Sequence, residues 1–341
     1  MPERKLLFLN KPQINISYSS KGRMWLISIC AFFCILQSAL SDGGQSLVIA
    51  FSALFSALLV EFLLTKRNYG IAKIKDGSAA ATALILCLIL PNQINPFYAA
   101  FGSAFAITVV KYSFGGLGSN WLNPALGGWL FIRFSWPSAF LDTFAHSSSS
   151  ISDMIYTTDI SSIDISITGF LNSSIFSITG VQMPAGYINL LFNNNPGIIA
   201  DRGLFALLVG TIIITAAGIN RGWIPLVFLA VYGFFIRITG DVSGMFWNGD
   251  VLYGIFSGGT IAVAFILAAE PSSSAKLKPG ILISVIIAAF LSWFFRYMCM
   301  EYSGVFVALA IVNCITVIIR YIEDKTFFRL NDQGNSGEKI L

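Results

Sequence analysis

The sequence is poor in charge. Asp, Glu, Lys and Arg make up 11% of its 341 residues, whereas a soluble domain carries about 25%. So few charges cannot cover a water-exposed surface, which excludes a cytosolic enzyme, a nucleic-acid-binding module and a disordered scaffold. Histidine is scarcer still. His146 is the only one, so a histidine relay and a multi-histidine metal site are ruled out. The cysteines, Cys30, Cys34, Cys87, Cys299 and Cys314, show no CxxC spacing. Cys30 and Cys34 share a helical face and the others stand singly in or near apolar runs. Small apolar filling is their expected role, against an iron site shared with partner subunits. A Gly-rich strand-turn-helix for a nicotinamide is also missing.

What is abundant is apolar sequence. Hydrophobic residues reach 55% and the mean hydropathy is +0.75, the composition of an integral membrane protein. A bilayer core of about 30 Å needs roughly 20 apolar helical residues, or fewer where a helix is broken within protein. Ten such segments run at 23–40, 46–65, 77–90, 97–112, 123–135, 203–219, 223–239, 251–269, 277–295 and 303–322. The third and fifth are short and adjoin Gly, Asn and Pro, which reads as broken or half helices.

Basic residues orient the segments. With the N-terminus inside, only Arg133, Arg202, Arg237 and Arg296 fall outside, and the other 17 of the 21 Lys and Arg are cytoplasmic. The pI near 8.8 therefore reports topology: ten crossings with both termini in the cytoplasm. The connection from Pro137 to Ala200 has four Asp but no Lys or Arg and reads as the one large extracytoplasmic piece. A cleaved leader is the alternative for the first segment, since basic residues precede an apolar run ending in Ala39-Leu40-Ser41.

Sliding the chain by 180 residues lays the first five segments on the last five. The clearest match sets Gly77-Ser78-Ala79-Ala80, running to Pro91, beside Ser257-Gly258-Gly259-Thr260, running to Pro271. Because five crossings is an odd number, the second half must be inverted relative to the first. The expected fold is thus an all-α polytopic membrane protein with two inverted five-helix repeats containing short or broken helices. Its parts are a cytoplasmic segment 1–22, a first repeat 23–135, an extracytoplasmic loop 136–202, a second repeat 203–322 and a cytoplasmic tail 323–341.

In such folds ligands sit at the repeat interface, where helix N-termini and unwound backbone face a cavity. The candidate stretches are the entries of the third and eighth segments, Gly77 and Ser78 and then Ser257, Gly258, Gly259 and Thr260, and the loop from Gly115 to Ala125 with Gly116, Gly118, Asn120, Asn123 and Pro124. Glycines let backbone approach a planar or phosphorylated ligand, and Asn offers both donor and acceptor. Closing two helices is the alternative role for such a loop. Glu270 ends a Gly-rich helix just before Pro271, near the proposed cavity, and is either structural or an acid for the cavity or an ion path. Glu61 lies about a turn from Lys66 and Arg67, where local charge pairing at the interface is expected over a role in an ion pathway.

The strings Lys75-Asp76-Gly77-Ser78, Gly115-Gly116-Leu117-Gly118-x-Asn120-x-x-Asn123-Pro124-Ala125, Trp223-Ile224-Pro225-Leu226 and Ser257-Gly258-Gly259-Thr260 with Glu270-Pro271 resemble, in order, those of the RnfD/NqrB family. The length and the short N-terminus resemble more closely the family's Rnf branch, whose members are the D component of the Rnf complex. The resemblance implies a flavin-bearing subunit of a redox pump in the bacterial inner membrane that couples electron transfer to Na⁺ or H⁺ movement. It also implies other membrane subunits and an extracytoplasmic flavoprotein as partners, since the chain has no electron-input site of its own. The family attaches FMN to the Thr of a Ser-x-Ala-Thr string in the outer loop, and this loop has none. Thr179 and Thr168 are the nearest hydroxyls, so flavin, FMN or riboflavin, is expected largely without a covalent ester. A small-solute transporter and a flavin-less assembly subunit are the rival readings.

Overall fold

The computed structural model describes residues 19–65, 75–116, 120–140, 161–174, 183–192, 197–239, 249–299 and 301–337, with side chains as far as residue 326. Among them there are helices and turns and no β-strand. Four helices are long and apolar enough to cross a membrane: α1 (Ser20–Ser41), α2 (Gln45–Thr65), α13 (Lys278–Trp293, extended by a π-helical turn to Met298) and α14 (Gly304–Gly337), within which the candidate span is Gly304–Thr326. Shorter apolar helices are α3 (Ser78–Leu88), α9 (Leu204–Ala216) and α10 (Trp223–Thr239). Between these lie α4 (Pro96–Phe105, continuing as a π-helix Ala106–Tyr112), α5 (Pro124–Ser135), α6 (Ser162–Ser174), α7 (Tyr187–Phe192), α8 (Ile199–Arg202), α11 (Val251–Phe256) and α12 (Thr260–Ala262, continuing as a π-helix to Leu267).

Local sequence explains where these helices start. Asn95-Pro96 and Asn123-Pro124 use one device, in which the Asn side chain accepts an N-terminal amide (Phe97 N at 3.0 Å, Leu126 N at 3.2 Å) and the Pro fills a first-turn site that needs no donor. Gly77 and Gly259 precede α3 and α12 with φ of 76° and 72°, a left-handed conformation that costs other L-residues energy. The expected eighth segment, 251–269, is not one helix but breaks at Ser257–Gly259.

Serines hold α2 to α4. Ser52 Oγ donates to Pro96 O at 2.9 Å, Ser56 Oγ to Ala100 O at 2.7 Å and Ser103 Oγ to Ala53 O at 2.9 Å. In lipid such bonds contribute about 0.6 to 2 kcal/mol each. α5 approaches α4 where Gly128 faces Gly102, and a Cβ on Gly128 would lie 2.6 Å from the Gly102 carbonyl. The early and late helices meet along α1, which packs on α8 and α9: Ala206 N donates to Gln37 Oε1 at 2.7 Å, and Cys34 Sγ to Gly203 O at 3.3 Å. Cys34 and Cys87 are fully buried.

Candidate functional site

The residues that the sequence singles out fall into four places. At the first, Asn123 of α5 and Glu270, in the connection after α12, are joined side chain to side chain, Asn123 Nδ2 donating to Glu270 Oε2. The other carboxylate oxygen accepts from Ser272 Oγ at 2.6 Å. Both residues line a cavity of about 330 Å³. Its apolar wall includes Ile27, Ile85, Ile219 and Ile266, and its polar groups include Arg23 and Asn220. The Arg23 Nε is buried without a partner among the described residues, and Asn220 Nδ2 donates to Phe265 O. Burial pushes the Glu270 carboxyl up from its ordinary range, against the opposing bonds from Ser272 and Asn123. This site draws on α1, α3, α5, the α9–α10 turn and the end of the α12 π-helix.

The second place is the Gly-rich turn. Gly115 and Gly116 have φ of 101° and 94°, and Gly116 N donates to Lys111 O at 2.9 Å, ending the π-helix. With its amide oriented to satisfy both groups, buried Asn120 donates to Val110 O at 3.2 Å and Gly116 O at 3.3 Å. These three residues close the turn that leads into Asn123; they do not line the cavity. Gly118 lies outside the described residues.

The third place is the break before α12. Arg296, buried at the π-helical end of α13, donates through Nη1 to Ser257 O at 2.6 Å, Gly254 O at 3.1 Å and Thr260 Oγ1 at 3.2 Å, and through Nη2 to Ser257 Oγ at 2.6 Å. Asp201 of α8 faces the other end, accepting from Gly258 N and Gly259 N, each at 2.9 Å, and from Tyr302 Oη at 2.7 Å. The cation thus takes the carbonyls that end α11 and the anion takes the amides that begin α12, which matches the helix-end dipoles. Ser257, Gly258, Gly259 and Thr260 are all engaged in this arrangement. Its counterpart at the start of α3 is simpler: Asp76 Oδ1 accepts from Ser78 N at 2.8 Å, and Lys111 Nζ reaches Ser78 Oγ at 2.5 Å.

The fourth place is in the connection between α5 and α8. Thr168 of α6 is buried, and its hydroxyl donates to Asp164 Oδ1 at 3.1 Å. Asp164 also accepts from Gly186 N and Asn189 N, both at 2.8 Å. Thr179 and His146 lie outside the described residues.

Sequence reasoning did not find Lys111, Asp201 or Arg296 as structural centres. Lys111 and Arg296 served it only as topology markers, although ionisable residues at the ends of apolar runs are themselves a signal. The partner of Glu61 is likewise distant. Among the described residues it pairs with Lys111 at 2.6 Å, while Lys66 and Arg67 lie outside them.

A sequence profile of the NQR2, RnfD, RnfE family matches residues 8–329. The chain belongs to this family. It is similar to the D component of the proton-translocating ferredoxin:NAD(+) oxidoreductase complex of Clostridium ljungdahlii, with 26% identity over 91% of this chain and 92% of that one. With the D component of the Na(+)-translocating ferredoxin:NAD(+) oxidoreductase complex of Acetobacterium woodii it shares 25% identity over 96% of both chains. With the D component of the ion-translocating oxidoreductase complex of Shewanella amazonensis the identity is 27% over 81% of this chain and 84% of that one. As an NQR2, RnfD, RnfE family member with several membrane-length apolar helices, it is a multi-pass membrane protein.

Proposed function

We propose that this chain is the flavin-carrying membrane subunit of an electron-transport complex that couples redox transfer to Na⁺ or H⁺ translocation. The observation that carries this reading is the Asn123–Glu270 bond on the wall of the 330 Å³ cavity. Two of the strings that resemble the family meet there, one from each half of the chain. The residues fit a flavin. Ligand pockets run from about 300 to 1,000 Å³ with mostly apolar walls and a few placed polar groups, and isoleucines flanked by Arg23, Asn123, Asn220 and Glu270 are such a lining. The orphaned Arg23 Nε is a donor waiting for an acceptor. Asn123 and Asn220 would orient the ring edge, and the isoleucines would exclude water from its faces. A bound flavin supplies the one- and two-electron chemistry.

The ester-free reading gains support from Thr168, whose hydroxyl is buried and engaged with Asp164. FMN or riboflavin held by this cavity needs no attachment residue. The fold belonging to this function is ten crossings in two inverted repeats, with both termini in the cytoplasm of a bacterial inner membrane. Its support is the pairing of Gly77 with Gly259 and of Lys111 with Arg296, each cation on a π-helical turn and bonded to the hydroxyl that opens the half helix. Partners would be other membrane subunits, as in the complexes that name the relatives, and an extracytoplasmic flavoprotein.

The test is the visible spectrum of the purified chain before and after denaturation, with ultraviolet illumination of a denaturing gel. Flavin released on unfolding supports the proposal. A chain without flavin in an otherwise complete complex favours an assembly role and overturns it.

A further inference from the structure

Glu61 and Lys111 form an ion pair of 2.6 Å with both side chains almost wholly shielded, at 0% and 2% exposure. Taking each ion out of water costs several kcal/mol, and only complete hydrogen bonding offsets that. The bonding here is incomplete. Glu61 Oε1 accepts from Lys111 Nζ and, at 3.2 Å, from Tyr112 Oη. Glu61 Oε2 is buried with no partner among the described residues. An unpaired carboxylate oxygen in a dry site is costly to leave as an anion, and a purely structural pair has no reason to keep it.

The pair is also wired to the outside. Lys111 Nζ reaches Ser78 Oγ at 2.5 Å, and Ser78 Oγ donates to Asp76 Oδ1 at 2.6 Å. Asp76 is partly exposed. Asp76, Ser78, Lys111 and Glu61 Oε1 thus form a chain of exchangeable protons from solvent to the carboxylate whose other oxygen, Oε2, is orphaned. With two carboxylates against one ammonium, the cluster has a net charge of −1 and room for one positive charge. Of the elements packed on α2, α3 and its lead-in bring Asp76, and the α4 π-helix brings Lys111 and Tyr112. α1 carries Lys21 and Arg23, neither bonded to Glu61, and Cys87 of α3 faces Ile49 three turns away.

We propose that Glu61 is a buried proton-accepting site, loaded through Asp76, Ser78 and Lys111 from the end of the bundle where α2 closes and α3 opens. A proton from water enters at the Asp76 carboxylate. The Lys111 ammonium passes a proton to Glu61, the resulting amine takes one from the Ser78 hydroxyl, and Ser78 takes the proton held by Asp76. One proton is gained, no electron moves, and the cluster becomes neutral with Glu61 as a carboxylic acid. The proton arrives on Glu61 Oε1, the oxygen that Lys111 Nζ reaches, and neutralising the carboxylate removes the cost of leaving Oε2 as an unpaired anionic oxygen. This inference is independent of flavin binding.

The test is infrared spectroscopy of the full chain in lipid nanodiscs, titrated with acid and exchanged into heavy water. Acidification is expected to raise a protonated-carboxyl band that is absent in Glu61→Gln. The double variant Glu61→Gln/Lys111→Gln removes both charges, so neither buried ion is left unpaired, and it should fold yet lack the band. Asp76→Asn should keep the band but slow its exchange by about 100-fold. A band that persists in the folded double variant would overturn the proposal. So would carboxylate bands that respond to Na⁺ at fixed pH and not to acid, because that marks a metal-cation site.

Discussion

Asn123 and Glu270, 147 residues apart in the chain, hydrogen-bond side chain to side chain on the wall of one cavity. Asn123 serves two structures at once, because its Oδ1 caps α5 while its Nδ2 holds the acid. Asn123→Asp keeps the cap but sets carboxylate against carboxylate, whereas Asn123→Leu loses both bonds and about 1 kcal/mol of capping. Glu270→Gln retains an acceptor. Flavin content per chain after purification is expected to fall strongly in Asn123→Asp and Asn123→Leu and least in Glu270→Gln.

A pH dependence follows from the same acid. Burial raises the Glu270 carboxyl in the folded chain above its ordinary 4.5, so the folded state holds a proton that the unfolded chain has released. The stability contributed is present below the ordinary value and is lost as pH rises through the raised one. Thermal unfolding in nanodiscs is expected to shift down with rising pH across that window, and Glu270→Gln should flatten the profile.

Arg296 holds the broken helix before α12. Arg296→Ala leaves the buried Gly254 and Ser257 carbonyls without their donor and removes a favourable charge near Asp201, a loss on the order of 1–3 kcal/mol for buried acceptors left unsatisfied. Arg296→Lys keeps charge but not the two-nitrogen reach and is expected to fall between. Denaturant unfolding of the purified variants measures both, and a cycle with Asp201→Asn should show strong coupling.

Thr168 is expected to be structural. Thr168→Val removes its bond to buried Asp164 and should destabilise the α6–α7 unit by about 1 kcal/mol, read as faster proteolysis of the α5–α8 connection. Flavin content should be unchanged. A fluorescent band on a denaturing gel that vanishes in Thr168→Ala or in Thr179→Ala would instead show covalent attachment.

Topology has its own check. Lys276 pairs with Asp324 of α14 at 2.9 Å, which puts the α12–α13 connection and the end of α14 on one side. Cysteines at 73 and 276 are expected to react with an impermeant reagent only in opened cells, and cysteines at 148 and 194 in intact ones.

By itself the sequence determined the membrane class, the positions of most apolar helices and the family, because each depends on composition or on short strings of residues. It also named Asn123 and Glu270 separately. Only the tertiary structure decided that they meet, that Gly115, Gly116 and Asn120 close a turn beside the cavity, and that the eighth segment breaks between Arg296 and Asp201. Only it decided that Glu61 pairs with Lys111, fifty residues on. In an apolar interior a charge takes whatever partner the packing delivers, since leaving it unpaired costs more than any local preference. Partners brought together by packing leave no periodic trace in the chain.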